Sequence, residues 1–316
     1  MRFKNKFTKM LLDMAGIFAG KRCQGCLRCL RFCLTKECFN EIRNRYADIV
    51  ISCGASARAP NIFLKYENNA KNIMIMKPGI GQLKKIDLVI LPRHDAHFRF
   101  RHNVLVTEGA PNRITDRTMR EAVLQVTGLQ SDKVTGNGIG LLIGGDAKGF
   151  RLDRGMVEKV IDGILKISEQ NGLDIFVTTS RRTPPEIETL LKERFGQNRL
   201  CKLFIIANEK NIEGAVPAIF GLSSIIVTSP ESISMISEAA SSGKQVIVYM
   251  GHKDTRTQGH KTKYERFVEY LEKEGHIKTA DPIGVYDILK QIMETRPEIK
   301  RLDDRGKIAQ RLEAMV

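Results

Sequence analysis

The hydrophobic pattern changes character along the chain. Over residues 7–19, FTKMLLDMAGIFA, the apolar positions Phe7, Met10, Leu11, Met14, Ile17 and Phe18 recur at the spacing of one helix face. Buried amphipathic helices are the commoner kind, so this stripe is expected to cover a sheet, with a place on an anionic membrane as the alternative. Residues 20–45 read as a Cys-rich helical segment. From residue 47 short, continuous apolar runs take over. ADIVISCG (47–54), NIMIM (72–76), DLVIL (87–91) and NVLVT (103–107) predict strands, with helices near 57–67 and from Asp116 to Val126. A polar, Gly-rich stretch, GLQSDKVTGNG (128–138), follows. Beyond it strands at 138–145, 173–179, 201–207, 223–229 and 245–250 alternate with helices at 154–170, 184–195, 213–219 and 232–242. Helices at 261–274, 282–294 and 302–314 close the chain.

Strands this apolar are buried on both faces, and their alternation with helices implies parallel sheets. A length of 316 residues suits two domains. The predicted class is therefore α/β, two α/β units in tandem with a cleft between them, divided as 1–130 and 131–316. The first domain opens with helices where a doubly wound domain opens with a strand and a glycine-rich turn. Either its first βα unit has been replaced, or the chain is an N-terminally shortened version of a longer protein.

Charge separates the halves. The chain carries 51 Lys and Arg against 36 Asp and Glu, a net +15. Residues 1–100 hold 19 basic and 7 acidic side chains, so nearly all the excess sits there. Such a field attracts an acidic lipid surface or a phosphorylated substrate, with a merely solvated basic surface as the plain alternative. Nucleic acid is disfavoured, because no recognition motif or aromatic platform occurs and Trp is absent. A hydrophobic fraction of 42% excludes wholesale disorder. No apolar run approaches the ~20 residues of a membrane span, and the N-terminus lacks the features of a signal peptide. The expected compartment is the cytoplasm, with peripheral attachment at the inner membrane face compatible with the charge. There the 7 Cys are reduced thiols or metal ligands.

In parallel sheets ligands bind beyond the carboxyl ends of the strands, so the loops there carry the candidate chemistry. After 138–143 come Gly144 and Gly145, whose N–H groups can cradle an oxyanion, and Lys148, which can neutralise a phosphate. No P-loop order is present. After 173–178 come Ser180, Arg181 and Arg182; adjacent arginines at a strand end suit bidentate phosphate contacts, while Thr183, Pro184 and Glu186 read as a helix start. After 223–228 a hydroxyl-rich turn leads into a helix through Ser232 and Ser234, whose N-terminus can hold a diphosphate. Glu238, a turn further on, can accept hydrogen bonds from a ribose diol. After 87–91 come Arg93, His94 and Asp95; a His beside an Asp is a candidate general base. Asn112 and Arg113 add to the same rim. For each loop the plain alternative is a tight turn or an ordinary capped helix.

Cys23, Cys26, Cys29 and Cys33 have the spacing of a bacterial iron–sulfur run, and Arg22, Arg28 and Arg31 flank them. The same spacing also lies on one helix face, and no Pro follows Cys33. The run is thus either an iron–sulfur or zinc site or a set of reduced packing cysteines.

Taken in order, ISCG, LPRHD, TEGAPNRI, LLIGGDAKGFRLD, TTSRRTP and VTSPESISMISEAASSGK resemble the mitochondrial-fission-protein family named from a plant protein, whose many bacterial members are described as glycosyltransferases. The resemblance covers about residues 47–252. The family's usual opening, a strand with an Asp-Gly-Lys-Pro-Gly-His type loop, is not in this sequence. The resemblance implies a GT-B-type fold of two Rossmann-like domains, with the nucleotide-sugar donor in the C-terminal domain and the acceptor in the N-terminal one. On that analogy Gly144, Gly145, Ser180, Arg181, Ser232, Ser234 and Glu238 line the donor pocket, and His94 and Asp95 lie on the acceptor side with Arg93, Asn112 and Arg113. The expected function is metal-independent glycosyl transfer from a nucleotide-diphosphate sugar to an anionic or lipid-linked saccharide, with no cofactor required. The alternatives are a non-catalytic GT-B-like interaction protein at a membrane surface, and an iron–sulfur protein.

Overall fold

Every expected apolar run folds as a parallel strand. The structure is a computed structural model that describes residues 1–79, 81–96, 101–128, 136–147, 150–251 and 261–315. The strands are β1 (Ile49–Cys53), β2 (Lys71–Ile75), β3 (Leu88–Pro92), β4 (Val104–Thr107), β5 (Gly138–Ile143), β6 (Asp174–Thr179), β7 (Cys201–Ile205), β8 (Ile225–Thr228), β9 (Gln245–Tyr249) and β10 (Lys278–Ala280). The helices are α1 (Lys6–Phe18), α2 (Arg28–Cys33), α3 (Lys36–Arg43), α4 (Arg58–Asn68), α5 (Asp116–Thr127), α6 (Arg154–Asn171), α7 (Pro185–Phe195), α8 (Ala215–Leu222), α9 (Ile233–Ser241), α10 (Lys263–Lys273), α11 (Val285–Thr295) and α12 (Arg305–Glu313). Among the described residues no helix is long and apolar enough to cross a membrane.

The chain divides into one unit of Met1–Glu108 with Asp304–Val316, and another of Gly109–Asp303. The expected boundary was 130/131. It falls earlier because α5 buries Met119, Ala122 and Val123 in the same apolar cluster as Ile219 and Phe220 of α8, a second-unit helix. The last helix returns to the first unit because Ile308, Leu312 and Met315 pack on Ile73, Leu88 and Ile90 of its sheet.

The first unit has one four-stranded parallel sheet, in the order β1-β2-β3-β4. One face packs under α1 and α4 through Leu12, Ile62, Phe63, Met74, Val89 and Leu91. Helix α1 faces inward with Thr8, Leu12 and Gly16, not with the stripe expected to do so. Gly16 lies against Ala59 of α4 and Gln82, where an added Cβ would make tight contacts of 3.2–3.3 Å. The expected stripe points outward instead: Phe7, Met10, Met14 and Phe18 are all exposed.

The strand ends of this sheet are joined by a buried amide network. Asn61 of α4 donates from Nδ2 to the carbonyls of Val50 and Ile73, each at 3.1 Å, and accepts from Asn72 Nδ2 at 2.7 Å. Asn72 and Asp87 exchange backbone-to-side-chain bonds at 2.8 and 2.9 Å, and Lys65 pairs with Asp87 at 2.7 Å. One side chain thus satisfies carbonyls of two neighbouring strands.

The second unit has a six-stranded parallel sheet in the order β10-β9-β8-β5-β6-β7. Alternate residues of β5 serve opposite cores: Ile139, Leu141 and Ile143 face α6, α7 and α11, while Leu142 faces α5, α8 and α9. From β5 the chain runs outward through β6 and β7, then returns to β8 on the other side of β5. The β5–β8 seam is therefore the point where strand order reverses, the place such sheets hold ligands.

Asn61→Ala is expected to leave the buried Asn72 amide without its acceptor and to remove the second hydrogen bond to each of the Val50 and Ile73 carbonyls. Urea unfolding should register a loss of about 2 kcal/mol.

Candidate functional site

The candidate site lies at the carboxyl ends of β5, β6 and β8, in the second unit. Three loops that the chain separates widely meet there. The Gly144 N–H donates to Ser229 Oγ at 2.9 Å, and the Gly145 N–H donates to Glu231 Oε1 at 2.9 Å. Ser229 Oγ in turn donates to the same Glu231 oxygen at 2.9 Å. From the β6 loop, Thr183 Oγ1 donates to the Gly144 carbonyl and accepts from the Ser180 N–H at 2.9 Å. The loops after β5, β6 and β8 are thereby tied into one knot at the reversal seam.

This corrects the expected role of the two glycines. Their amides were expected to cradle a ligand oxyanion, but they already bind the protein's own carboxylate and hydroxyl. Glycine is required for packing: a Cβ on Gly144 would run into the Glu231 carboxylate, and one on Gly145 into the Arg182 carbonyl. Thr183, expected as a helix cap, is used for the knot, and α7 starts one residue later with Pro184 at its cap.

Glu231 is the residue that sequence reasoning passed over. It is buried, with Oε2 inside the protein and without a hydrogen-bond partner among the described residues. Burial pushes its pKa up; its own backbone N–H, Ser229, the Gly145 amide and the Arg182 charge oppose this. Tyr249, at the end of β9, is fully buried beside it, and burial first and the Glu231 charge second hold the phenol well above its usual range. The only hint in sequence was a carboxylate three residues past the end of an apolar strand.

The remaining donor-side candidates surround the knot. Arg181 and Arg182 are exposed, and Ser180 Oγ accepts from the Arg182 N–H at 3.1 Å. Ser232 caps α9, accepting from the Met235 N–H at 3.4 Å. Ser234 is exposed at the first turn, and Glu238 lies four residues on along the same helix face. Desolvation alone pushes the Glu238 carboxyl up, and no hydrogen bond or ion pair reaches it among the described residues. Lys148 lies outside the described residues.

The expected acceptor rim is divided between the units. Arg93, His94 and Asp95 form a 3-10 turn directly after β3 in the first unit. His94 Nε2 and Asp95 Oδ2 are 3.6 Å apart, with the imidazole well buried. Asn112 and Arg113 belong instead to the second unit. Asn112 donates to Ser241 Oγ at 3.1 Å and accepts from the Ile114 N–H at 3.1 Å, while the Ala110 N–H donates to Ser237 Oγ at 2.9 Å. Asn112 thus pins its loop onto α9, leaving Arg113 exposed.

The cysteine run does not close on a point. Cys33 is buried with Leu30 and Leu34, Cys23 is half-buried, and Cys26 and Cys29 are exposed. Cys29 is pushed up in pKa by burial and then by Cys26 and Cys23. Among the described residues no three His, Cys, Asp or Glu side chains gather as metal ligands.

The family described as Mitochondrial fission ELM1 matches residues 22–316. A curated relative, the uncharacterized protein RP120 of Rickettsia prowazekii (strain Madrid E), is 25% identical over 236 residues. The match spans 64% of this chain and 64% of that protein, so just under two thirds of the relative's length is matched. Among solved structures, the UDP-GlcNAc 2-epimerase of Methanocaldococcus jannaschii superposes with a TM-score of 0.57 at 13% identity, covering 88% of this chain and 78% of that one. The UDP-GlcNAc 2-epimerase of Neisseria meningitidis, solved bound to UDP-GlcNAc, gives 0.53 at 13%, with the same coverages. At this identity the likeness establishes the fold, which is of GT-B type.

The knot gives a pH-dependent expectation. The folded-state pKa of Glu231 lies above its unfolded value, so its stabilising contribution is full below the unfolded value and is lost as pH rises through the folded one. Glu231→Gln keeps the acceptor and carries no charge, so urea unfolding should show it gaining on the natural protein as pH rises from the acid range to neutrality. Glu231→Ala should cost about 1–3 kcal/mol by stranding the Ser229 and Gly145 donors.

Proposed function

Since the chain belongs to the mitochondrial fission ELM1 family and carries a GT-B, glycosyltransferase-like fold, we propose that it transfers a glycosyl group from a nucleotide-diphosphate sugar. The observation that carries the reading is Glu238: a desolvated carboxylate without a partner among the described residues, on the helix that starts at the reversal seam of the sheet. A ribose diol supplies the two hydroxyl donors this carboxylate lacks. The diphosphate then sits against the start of α9, where Ser232 and Ser234 stand and the helix dipole favours negative charge. Arg181 and Arg182 neutralise it from the β6 side. The Gly144–Glu231 knot forms the wall of this seat, not its cradle. The UDP-GlcNAc carried by the Neisseria protein of like fold supports a nucleotide-sugar donor here.

In the reaction an acceptor hydroxyl attacks the anomeric carbon as the bond from that carbon to the diphosphate oxygen breaks. The hydroxyl proton passes to His94 or Asp95, and the nucleoside diphosphate leaves with the charge that α9 and the arginines stabilise. The basic first unit suits an anionic or lipid-linked saccharide acceptor. Residues of this chain supply all these functions, so the proposal requires no cofactor.

Isothermal titration with UDP and the other nucleoside diphosphates tests the donor seat. Binding by at least one is expected, and Glu238→Gln should weaken it about tenfold, the loss of one charge-assisted hydrogen bond. Intact protein that binds none of them would end this reading.

A further inference from the structure

The outward stripe of α1 has a use that the donor seat does not explain. Phe7, Met10, Met14 and Phe18 are 61%, 54%, 54% and 83% exposed, and they fall within about 80° around the helix axis. Leu11 and Ile17, half-buried, flank them. Phe32 of α2, 62% exposed, adjoins the start of α1, with Lys4 Nζ 5.6 Å from its ring centre. The opposite face of the helix is already buried, through Thr8, Leu12 and Gly16. The helix therefore has two apolar faces, and only one has a partner among the described residues.

The charge around that face selects the occupant. Residues 1–36 contain nine Lys and Arg and one acidic residue, Asp13. Arg2, Lys4, Lys6, Lys21, Arg22, Arg28 and Arg31 are exposed, and none is within ion-pair distance of a carboxylate among the described residues. An apolar ridge rimmed by unpaired cations is complementary to a surface that is anionic outside and hydrocarbon a few ångströms below. A nucleic acid offers the charge without the hydrocarbon, and a second copy of this chain offers another cationic rim. Moreover, α1 precedes residue 22, where the match to the family begins.

We propose that α1 and the start of α2 dock the protein on an anionic phospholipid bilayer, with Phe7, Met10, Met14 and Phe18 in the headgroup–acyl boundary and the basic residues among the headgroups. Docking is a property of the first unit alone and does not rest on the donor reading.

The test uses the full chain and vesicles of phosphatidylcholine with and without about 30% phosphatidylglycerol, at salt from about 0.1 to 0.5 M. Co-sedimentation should be about tenfold greater on the anionic vesicles and fall steeply with salt. The variant Phe7→Ser/Met14→Ser/Phe18→Ser should lose about tenfold in binding while melting like the natural chain, since it alters only exposed positions. Because the chain contains no Trp, Phe18→Trp provides a single reporter whose emission should shift to the blue on anionic vesicles. Ile283→Trp, exposed in the second unit, should not shift. Equal binding to both vesicle types, an unmoved Phe18→Trp spectrum, or a stable dimer that the triple variant dissociates would overturn the proposal. Vesicle binding without nucleotide binding would leave it standing and remove the donor reading instead.

Discussion

The second unit depends on one buried carboxylate. Glu231 accepts the Gly145 amide and the Ser229 hydroxyl at the seam where strand order reverses, and Thr183 closes the arrangement from the next loop. Loops at the ends of parallel strands ordinarily have no reason to keep a common geometry, because the sheet constrains only their roots. Here three of them share hydrogen bonds, with glycines at the two positions where a side chain would collide. The cost is a carboxylate taken out of water with one oxygen unpartnered. A site that must hold a ligand without reorganising gains from that rigidity.

The first unit solves a different problem with amides. Its sheet has four strands among the described residues, and Asn61 stitches β1 to β2 from the helix above. Helix α12 covers the other face around Ile73, Leu88 and Ile90. His94 and Asp95 stand at the end of β3, on a fully buried strand that fixes their turn.

The strands were legible because apolar runs of four to six residues between turn signals have few other fates. β10 was not, since Lys278, Thr279 and Ala280 carry no such signal and the strand exists by pairing with β9. The stripe on α1 was read correctly as periodic and wrongly as inward. Periodicity says that a face is apolar, but not which element covers it, and the small residues Thr8 and Gly16 allowed a closer approach than the large ones. The glycine pair was singled out for close approach of a ligand, whereas the groups packed against it in the fold are Arg182 and Glu231. Such a contact joins residues far apart in sequence, which local pattern does not encode. Asn112 and Arg113 were placed on the same rim as His94 because their loop follows the next strand, whereas bonding to Ser237 and Ser241 places that loop on α9.

A single seat for a nucleoside diphosphate at the reversal seam is the claim on which the functional account turns. Hydrogen exchange of the full chain, measured by mass spectrometry with and without UDP, tests it most directly. The account predicts slower exchange confined to residues 143–147, 180–183 and 229–238. Slowing that spares all three segments, or that appears only around residues 91–96 of the first unit, would contradict it.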